Sequence, residues 1–216
     1  MSEILIIAEH ANGRLNQSTA KCVSCALGIG AEAIDILVLA ASAAAVAAEA
    51  AAIQGVRRVR TLERPENAEP LAAVFAPQVA AVAKGYTHLL GPSTTFGKDL
   101  VPRVAAMLGV GQISDVMAVE SANRFVRPVY AGNALATVEA PAGQIVVLTV
   151  RAASFQPAAN GGQPPGHIPN SRHRPPRRAL ENDGSRRPRS RAGRTRHPIQ
   201  ARRGASDWHA GHRHDS

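Results

Sequence analysis

The sequence predicts an α/β fold: a parallel sheet with helices on both faces, followed by a short antiparallel C-terminal extension. Two observations carry this. Between Glu3 and Leu108, strand-length apolar runs alternate with helix-length segments, and parallel neighbours need a crossover that is usually a helix. From Gln112 the period changes, and further strand-length runs follow with connections too short for helical crossovers.

Taken in order, Glu3 to Ala8 reads as a buried strand and Ser18 to Ile29 as a helix ended by Gly28 and Gly30. Ile34 to Leu39 is read as a second strand, apolar apart from Asp35. Ser42 is the expected cap of a helix over Ala43 to Ile53, which Gln54-Gly55 stops, and Arg57 to Leu62 is the third strand. Asn67 is the expected N-cap of a helix over Ala68 to Lys84, with Pro70 in its first turn and Pro77 predicted to kink or split it. Thr87 to Leu90 is the fourth strand and Gly91 to Thr95 a turn. Gly97 to Leu108 is a helix with Leu100, Val104 and Leu108 on one stripe and Pro102 near its first turn. Ile113 to Glu120, Phe125 to Tyr130, Ala134 to Glu139 and Gln144 to Val150 are read as the antiparallel extension, giving a Rossmann-like layout with no second core.

Charge divides the 216 residues in two. Residues 1–159 carry twelve Lys/Arg and twelve Asp/Glu, whereas residues 160–216 carry thirteen Arg, no Lys and four acids, so the formal net charge of +9 belongs to the tail. The tail's large apolar residues are Ile168, Leu180, Ile199 and Trp208. That is too little apolar surface to offset the entropy of ordering it, so residues 160–216 are expected to be disordered. Arg, Pro, Gly and Ala have GC-rich codons, so two origins remain for the tail: a GC-rich coding sequence translated out of frame, or a native basic arm. No apolar run reaches the length of a membrane span, and the opening Met-Ser-Glu-Ile-Leu-Ile-Ile-Ala has no basic leader. The expected compartment is the cytoplasm of a bacterium, or the mitochondrial matrix if the source is eukaryotic.

Chemistry-bearing motifs are few. Cys22 and Cys25 have CxxC spacing, but the chain holds no other Cys, so they are read as helix packing residues. Gly91-Pro-Ser-Thr-Thr-Phe-Gly97-Lys98-Asp99 invites a phosphate-loop reading. It has one residue too many between the glycines, and Asp99 stands where a hydroxyl would hold magnesium. A generic anion or adenine-nucleotide site at this junction is one alternative function. His10 and His88 lack a partner at a diagnostic spacing and are read as structural. Neither Gly-x-Ser-x-Gly nor Gly-x-Gly-x-x-Gly occurs at a strand-helix start, so hydrolase and dehydrogenase readings have no support. The tail's arginines raise a nucleic-acid arm as another alternative, disfavoured because Trp208 is its only base-stacking aromatic.

Several stretches in series are similar to one family: Ile4-Leu-Ile-Ile-Ala-Glu-His10; Tyr86-Thr-His-Leu-Leu-Gly-Pro-Ser-Thr-Thr-Phe-Gly-Lys-Asp-Leu-Val-Pro-Arg-Val-Ala-Ala106; Ile113-Ser-Asp115; Phe125-Val-Arg-Pro-Val-Tyr-Ala-Gly-Asn-Ala134; and Val150-Arg-Ala-Ala-Ser-Phe155. In order and spacing, residues 1–159 resemble the N-terminal domain of the electron-transfer flavoprotein α subunit. The resemblance implies an adenine-nucleotide alpha-hydrolase-like variant of the Rossmann-like fold. It further implies an electron carrier rather than an enzyme: an FAD-containing heterodimer with a β subunit that carries AMP, taking electrons from flavoprotein dehydrogenases and passing them to a quinone reductase or similar acceptor.

In that family a C-terminal domain supplies most FAD contacts, and its Gly/Arg-rich and Gly-Ile-Ser-Gly motifs are not found between Asn160 and Ser216. The expectation is a truncated scaffold holding no cofactor alone, with no catalytic, cofactor-binding or metal residue assigned. By analogy, Gly91 to Arg103 and Tyr130 to Asn133 are the stretches expected to pack against the β subunit or the absent flavin domain. No membrane partner is implied.

Overall fold

The first strand, β1 (Glu3–Ile7), leads into a hairpin of β2 (His10–Ala11) and β3 (Arg14–Leu15) before helix α1 (Gln17–Ile29). Strand β4 (Ala33–Ala40), helix α2 (Ala44–Ala51), strand β5 (Arg58–Glu63), helix α3 (Ala72–Val82), strand β6 (His88–Pro92), helix α4 (Thr95–Leu108) and strand β7 (Gln112–Val116) continue the alternation. Then come β8 (Ala118–Val119), β9 (Arg124–Val129), β10 (Ala134–Glu139), β11 (Val146–Val150) and β12 (Ile168–Pro169). This computed structural model describes residues 2–161 and the backbone of Ile168–Pro169. The rest of the Arg/Pro/His-rich stretch lies outside the described residues, and with it the expectation of disorder.

The main sheet has the order β5-β4-β1-β6-β11-β7, all parallel, with β12 beside β5. Both faces are covered, which is why β1 is apolar from Ile4 onward and β4 is apolar apart from Asp35. Ile4, Ile6, Ile34, Ile36 and Val38 pack with α1 and α2, while Leu5, Ile7, Leu37, Leu39 and Leu89 pack with α3 and α4. The predicted α/β class with helices on both faces is what the chain adopts. The antiparallel part is present as β10-β9-β8, and Phe125 of β9, fully buried, anchors it to the α1 side of the core.

Four local expectations are corrected. Gln144 to Val150, grouped with the antiparallel runs, instead supplies β11, which inserts between β6 and β7 as a parallel strand buried throughout; β7 is likewise parallel. The β8–β10 sheet acts as the crossover that a helix would otherwise provide. Ser42 does not cap α2: the helix begins one residue later, and the Glu63 carboxylate at the end of β5 accepts the Ala43 N–H at 2.7 Å. Asn67 ends a short 3₁₀ turn, and its buried amide bonds Leu62 O and Gln78 while α3 starts only at Ala72. Pro77 lies inside α3 without splitting it, because burial of Phe75, Ala76, Val79 and Ala80 outweighs one missing donor.

Helix α4 also starts earlier than predicted. Gly91 and Pro92 belong to β6, Thr94 is the N-cap, and Pro102 therefore sits in the helix interior. Gly30 closes α1 with φ 81°, a left-handed cap that glycine adopts without a Cβ penalty. Past β11 the chain returns along the first face. Ala158 N–H donates to Ala20 O, Gln54 N–H to Ala159 O and Gly161 N–H to Ala52 O, so residues 158–161 are stitched to α1 and to the end of α2.

Candidate functional site

In an open parallel sheet, ligands favour the crevice at the carboxyl ends of the strands where the strand order reverses. Here that point lies between β1 and β6, since β4 and β5 lie to one side and β11 and β7 to the other. Its residues are Glu9 and His10 after β1, Ser93 and Thr94 after β6, and the first turn of α4.

Most of these groups are engaged by the protein itself. Ser18 Oγ donates to Glu9 Oε2 at 2.6 Å and Glu9 N–H donates to Thr19 Oγ1 at 3.1 Å, tying the end of β1 to the start of α1. His10 Nε2 lies 2.8 Å from Leu39 O. A carbonyl can only accept, so Nε2 carries the proton and the ring anchors the hairpin. Ser93 N–H donates to Val150 O at 2.8 Å, joining the ends of β6 and β11, while its buried Oγ has no protein partner among the described residues.

The glycines of Gly91 to Lys98 serve packing. A Cβ on Gly97 would fall 1.7 Å from Pro92 O, and one on Gly91 would fall 2.6 Å from Val101 Cγ2. Each missing side chain is thus the space into which α4 and β6 press together. A dinucleotide cradle needs that space to admit a phosphate to the backbone. Both glycines of the turn are therefore accounted for by packing between β6 and α4.

The other residues singled out from sequence are structural in their contacts. His88, 4 % exposed, has Nε2 2.7 Å from Ala122 O and Nδ1 2.8 Å from Thr87 Oγ1. Burial pushes its pKa below the usual imidazole value, and the bond to Ala122 only partly opposes this. His88 Nε2 donates to the Ala122 carbonyl, clamping β6 to the loop before β9, while the Thr87 hydroxyl beside Nδ1 donates to Glu3 O at 2.9 Å. Cys22 and Cys25 are buried free thiols. Burial raises both, Cys25 to about 12 and Cys22 further by the neighbouring Cys25 and Glu9, so neither is a nucleophile near neutral pH. Among the described residues no three metal-ligating side chains converge, and no helix is long and apolar enough to cross a membrane.

Sequence reading missed a charged cluster at the opposite, amino end of the sheet. Asp35 sits inside the apolar run of β4 with its side chain fully buried. It accepts Arg57 Nε at 2.9 Å, Arg58 Nε at 3.0 Å and the Tyr86 hydroxyl, while Arg57 also reaches Glu3 and Arg60 donates to Tyr86 at 3.2 Å. Burial alone would raise the Asp35 pKa, but the Arg57, Tyr86 and Arg58 hydrogen bonds outweigh it and hold the carboxyl below its usual range. An acid in one apolar strand followed by Arg57-Arg58 at the next strand was the available signal.

Of the stretches expected to meet a partner, Gly91 to Arg103 spans the end of β6 and most of α4, and Tyr130 to Asn133 forms the tip of the β9–β10 hairpin. There Tyr130 is 82 % exposed, and Tyr130 and Ala131 both have positive φ, 51° and 56°. Leu135, at the start of β10, is also exposed.

Residues 4–171 match the family model of the electron transfer flavoprotein domain. The chain is 45 % identical over 160 residues to the electron transfer flavoprotein subunit alpha of Pseudomonas aeruginosa, covering 74 % of this chain and 51 % of that protein. It is 40 % identical over 163 residues to the subunit alpha of Paracoccus denitrificans, covering 75 % and 52 %. With the mitochondrial subunit alpha of Dictyostelium discoideum it shares 36 % identity over 168 residues, covering 74 % and 47 %. The chain thus spans about half the length of the curated relatives it matches. With most of its length inside that family model, the chain belongs to the electron transfer flavoprotein domain family.

Proposed function

We propose that residues 1–159 act as the N-terminal scaffold domain of an electron-transfer flavoprotein α subunit, an electron-carrying partner rather than an enzyme. The observation that carries this reading is the family match over residues 4–171, together with relatives named as alpha subunits that this chain half covers. In this reading the domain docks a β subunit. The flavin is held by parts of the heterodimer other than these residues, in keeping with a Gly91 to Lys98 turn whose glycines are closed by packing. The flavin supplies the redox chemistry when bound; the complex takes electrons from flavoprotein dehydrogenases and delivers them to a quinone reductase or similar acceptor. Residues 160–216 are proposed to lie outside this scaffold function.

The test is co-expression of the tagged chain with the β subunit of a bacterial relative, followed by affinity capture and a visible absorption spectrum. The expected result is capture of the β subunit by the chain, and no stoichiometric flavin on the chain purified alone. A chain that purifies yellow with one flavin per molecule overturns the assignment of the cofactor to other parts of the complex. Failure to capture any β subunit overturns the scaffold role.

A further inference from the structure

We infer that the free edge of β10 is a self-pairing surface, through which two copies of the chain join about a two-fold axis into one six-stranded antiparallel sheet. In the β10-β9-β8 sheet, β10 has a neighbour on one side only. Its outer side is a row of backbone donors and acceptors of the kind that recruits another strand. Edges are commonly guarded by lysine, proline or a bulge, and β10 has none of these. Ala134-Leu-Ala-Thr-Val-Glu139 runs in unbroken register with β9, and its one charge lies at its end, where Asn123 Nδ2 donates to it at 3.1 Å. Of the five large apolar side chains exposed among the described residues, two belong to this hairpin, Tyr130 and Leu135.

The strand fits a second copy of itself. Across a two-fold axis the two strands run antiparallel and opposed residues share a face of the sheet, so the axis passes through a residue. With Ala136 on the axis, Leu135 of each copy faces Thr137 of the other, Ala134 faces Val138 and Glu139 faces Asn133. No like charges are opposed, and each exposed Leu135 is covered. Residues 118–140 carry Glu120, Arg124, Arg127 and Glu139, with no net charge, so the two surfaces approach without mutual repulsion. The same register sets the Tyr130–Gly132 tip of one copy, with Asn133, alongside residues 139–142 of the other. There a largely apolar groove lies among Val110, Ile113, Val138, Pro141 and Ile145, with room for the Tyr130 ring. Because the contact is isologous, main-chain pairing along β10 is flanked by this tip-to-groove contact at both ends.

Sedimentation of the purified full chain over a range of concentrations tests this. No β subunit is present, so the outcome is independent of β-subunit capture. The wild-type chain should approach twice the mass of one chain as concentration rises. Leu135→Lys with Thr137→Lys opposes lysines at both pairs and should weaken the dimer about tenfold or more, because like charges directly opposite are destabilising. Leu135→Lys with Thr137→Glu sets unlike charges opposite in the same register and should dimerise as the wild type does. That second variant also shows that these exposed positions tolerate charge without loss of the fold. A wild-type chain that is monomeric at every concentration overturns the inference. So does a dimer that survives two lysines, or one lost equally from both variants.

Discussion

Single residues set the close tolerances of this domain. Gly97 is the tightest: a methyl group there meets the Pro92 carbonyl oxygen, a backbone atom that no rotamer can move aside. Gly97→Ala is expected to cost roughly 3 kcal/mol in urea unfolding as α4 is pushed off β6. His88 and Asp35 make stability depend on pH in the same direction. The folded His88 resists protonation, so below about 6.5 the unfolded chain binds a proton the folded chain does not, and stability falls with acid. Asp35, held ionised when folded, adds a second loss as pH drops below about 3.9 toward its lowered folded value. Urea titrations between pH 8 and 3 should show both declines. Asp35→Asn should remove the second and cost about 2 kcal/mol, discounted because Arg57 and Arg58 are 40 % and 30 % exposed. A pH-independent stability would contradict both assignments.

Among the elements, α1 shows how a motif is settled by its neighbours. The CxxC spacing places Cys22 and Cys25 on one face, and that face packs with Ile4, Ile6 and Val150 of the sheet. Buried and with raised pKa values, the thiols should stay unmodified by iodoacetamide in the native protein, and labelling should follow global unfolding. Rapid alkylation without unfolding would contradict that burial. Helix α4 shows the same dependence at its start. Gly97 looks like a helix opener in sequence, yet the Thr94 hydroxyl accepts the Gly97 N–H and starts the helix at Thr95. Elements with long runs, such as β1, β4 and α1, were legible nearly to the residue because both of their faces or one whole stripe are apolar. Caps were less legible: the Ala43 N–H at the start of α2 donates to the Glu63 carboxylate, twenty positions away, and no local pattern contains that acceptor.

At the scale of the whole molecule, the sequence by itself determined the α/β class, the strand-helix alternation to Leu108, the change of period after it and the family resemblance. Those rest on local periodicity and on residue order, which the chain carries without folding. Tertiary structure decided the rest, where partners come together from distant positions. Val146–Val150 is a short apolar run that suits either sheet, and only its pairing with β6 and β7 makes it a central parallel strand. Asp35 reads as an exception in an apolar strand until Arg57, Arg58 and Tyr86 close around it. The Gly91 to Lys98 turn reads in sequence as a packed helix start, with an anion site as the alternative, and the approach of Pro92 and Val101 shows what its glycines pack against. The physical reason is common to all three. Periodicity reports which side of an element is apolar, whereas strand order, buried charge and close backbone approach are properties of what lies across the interface.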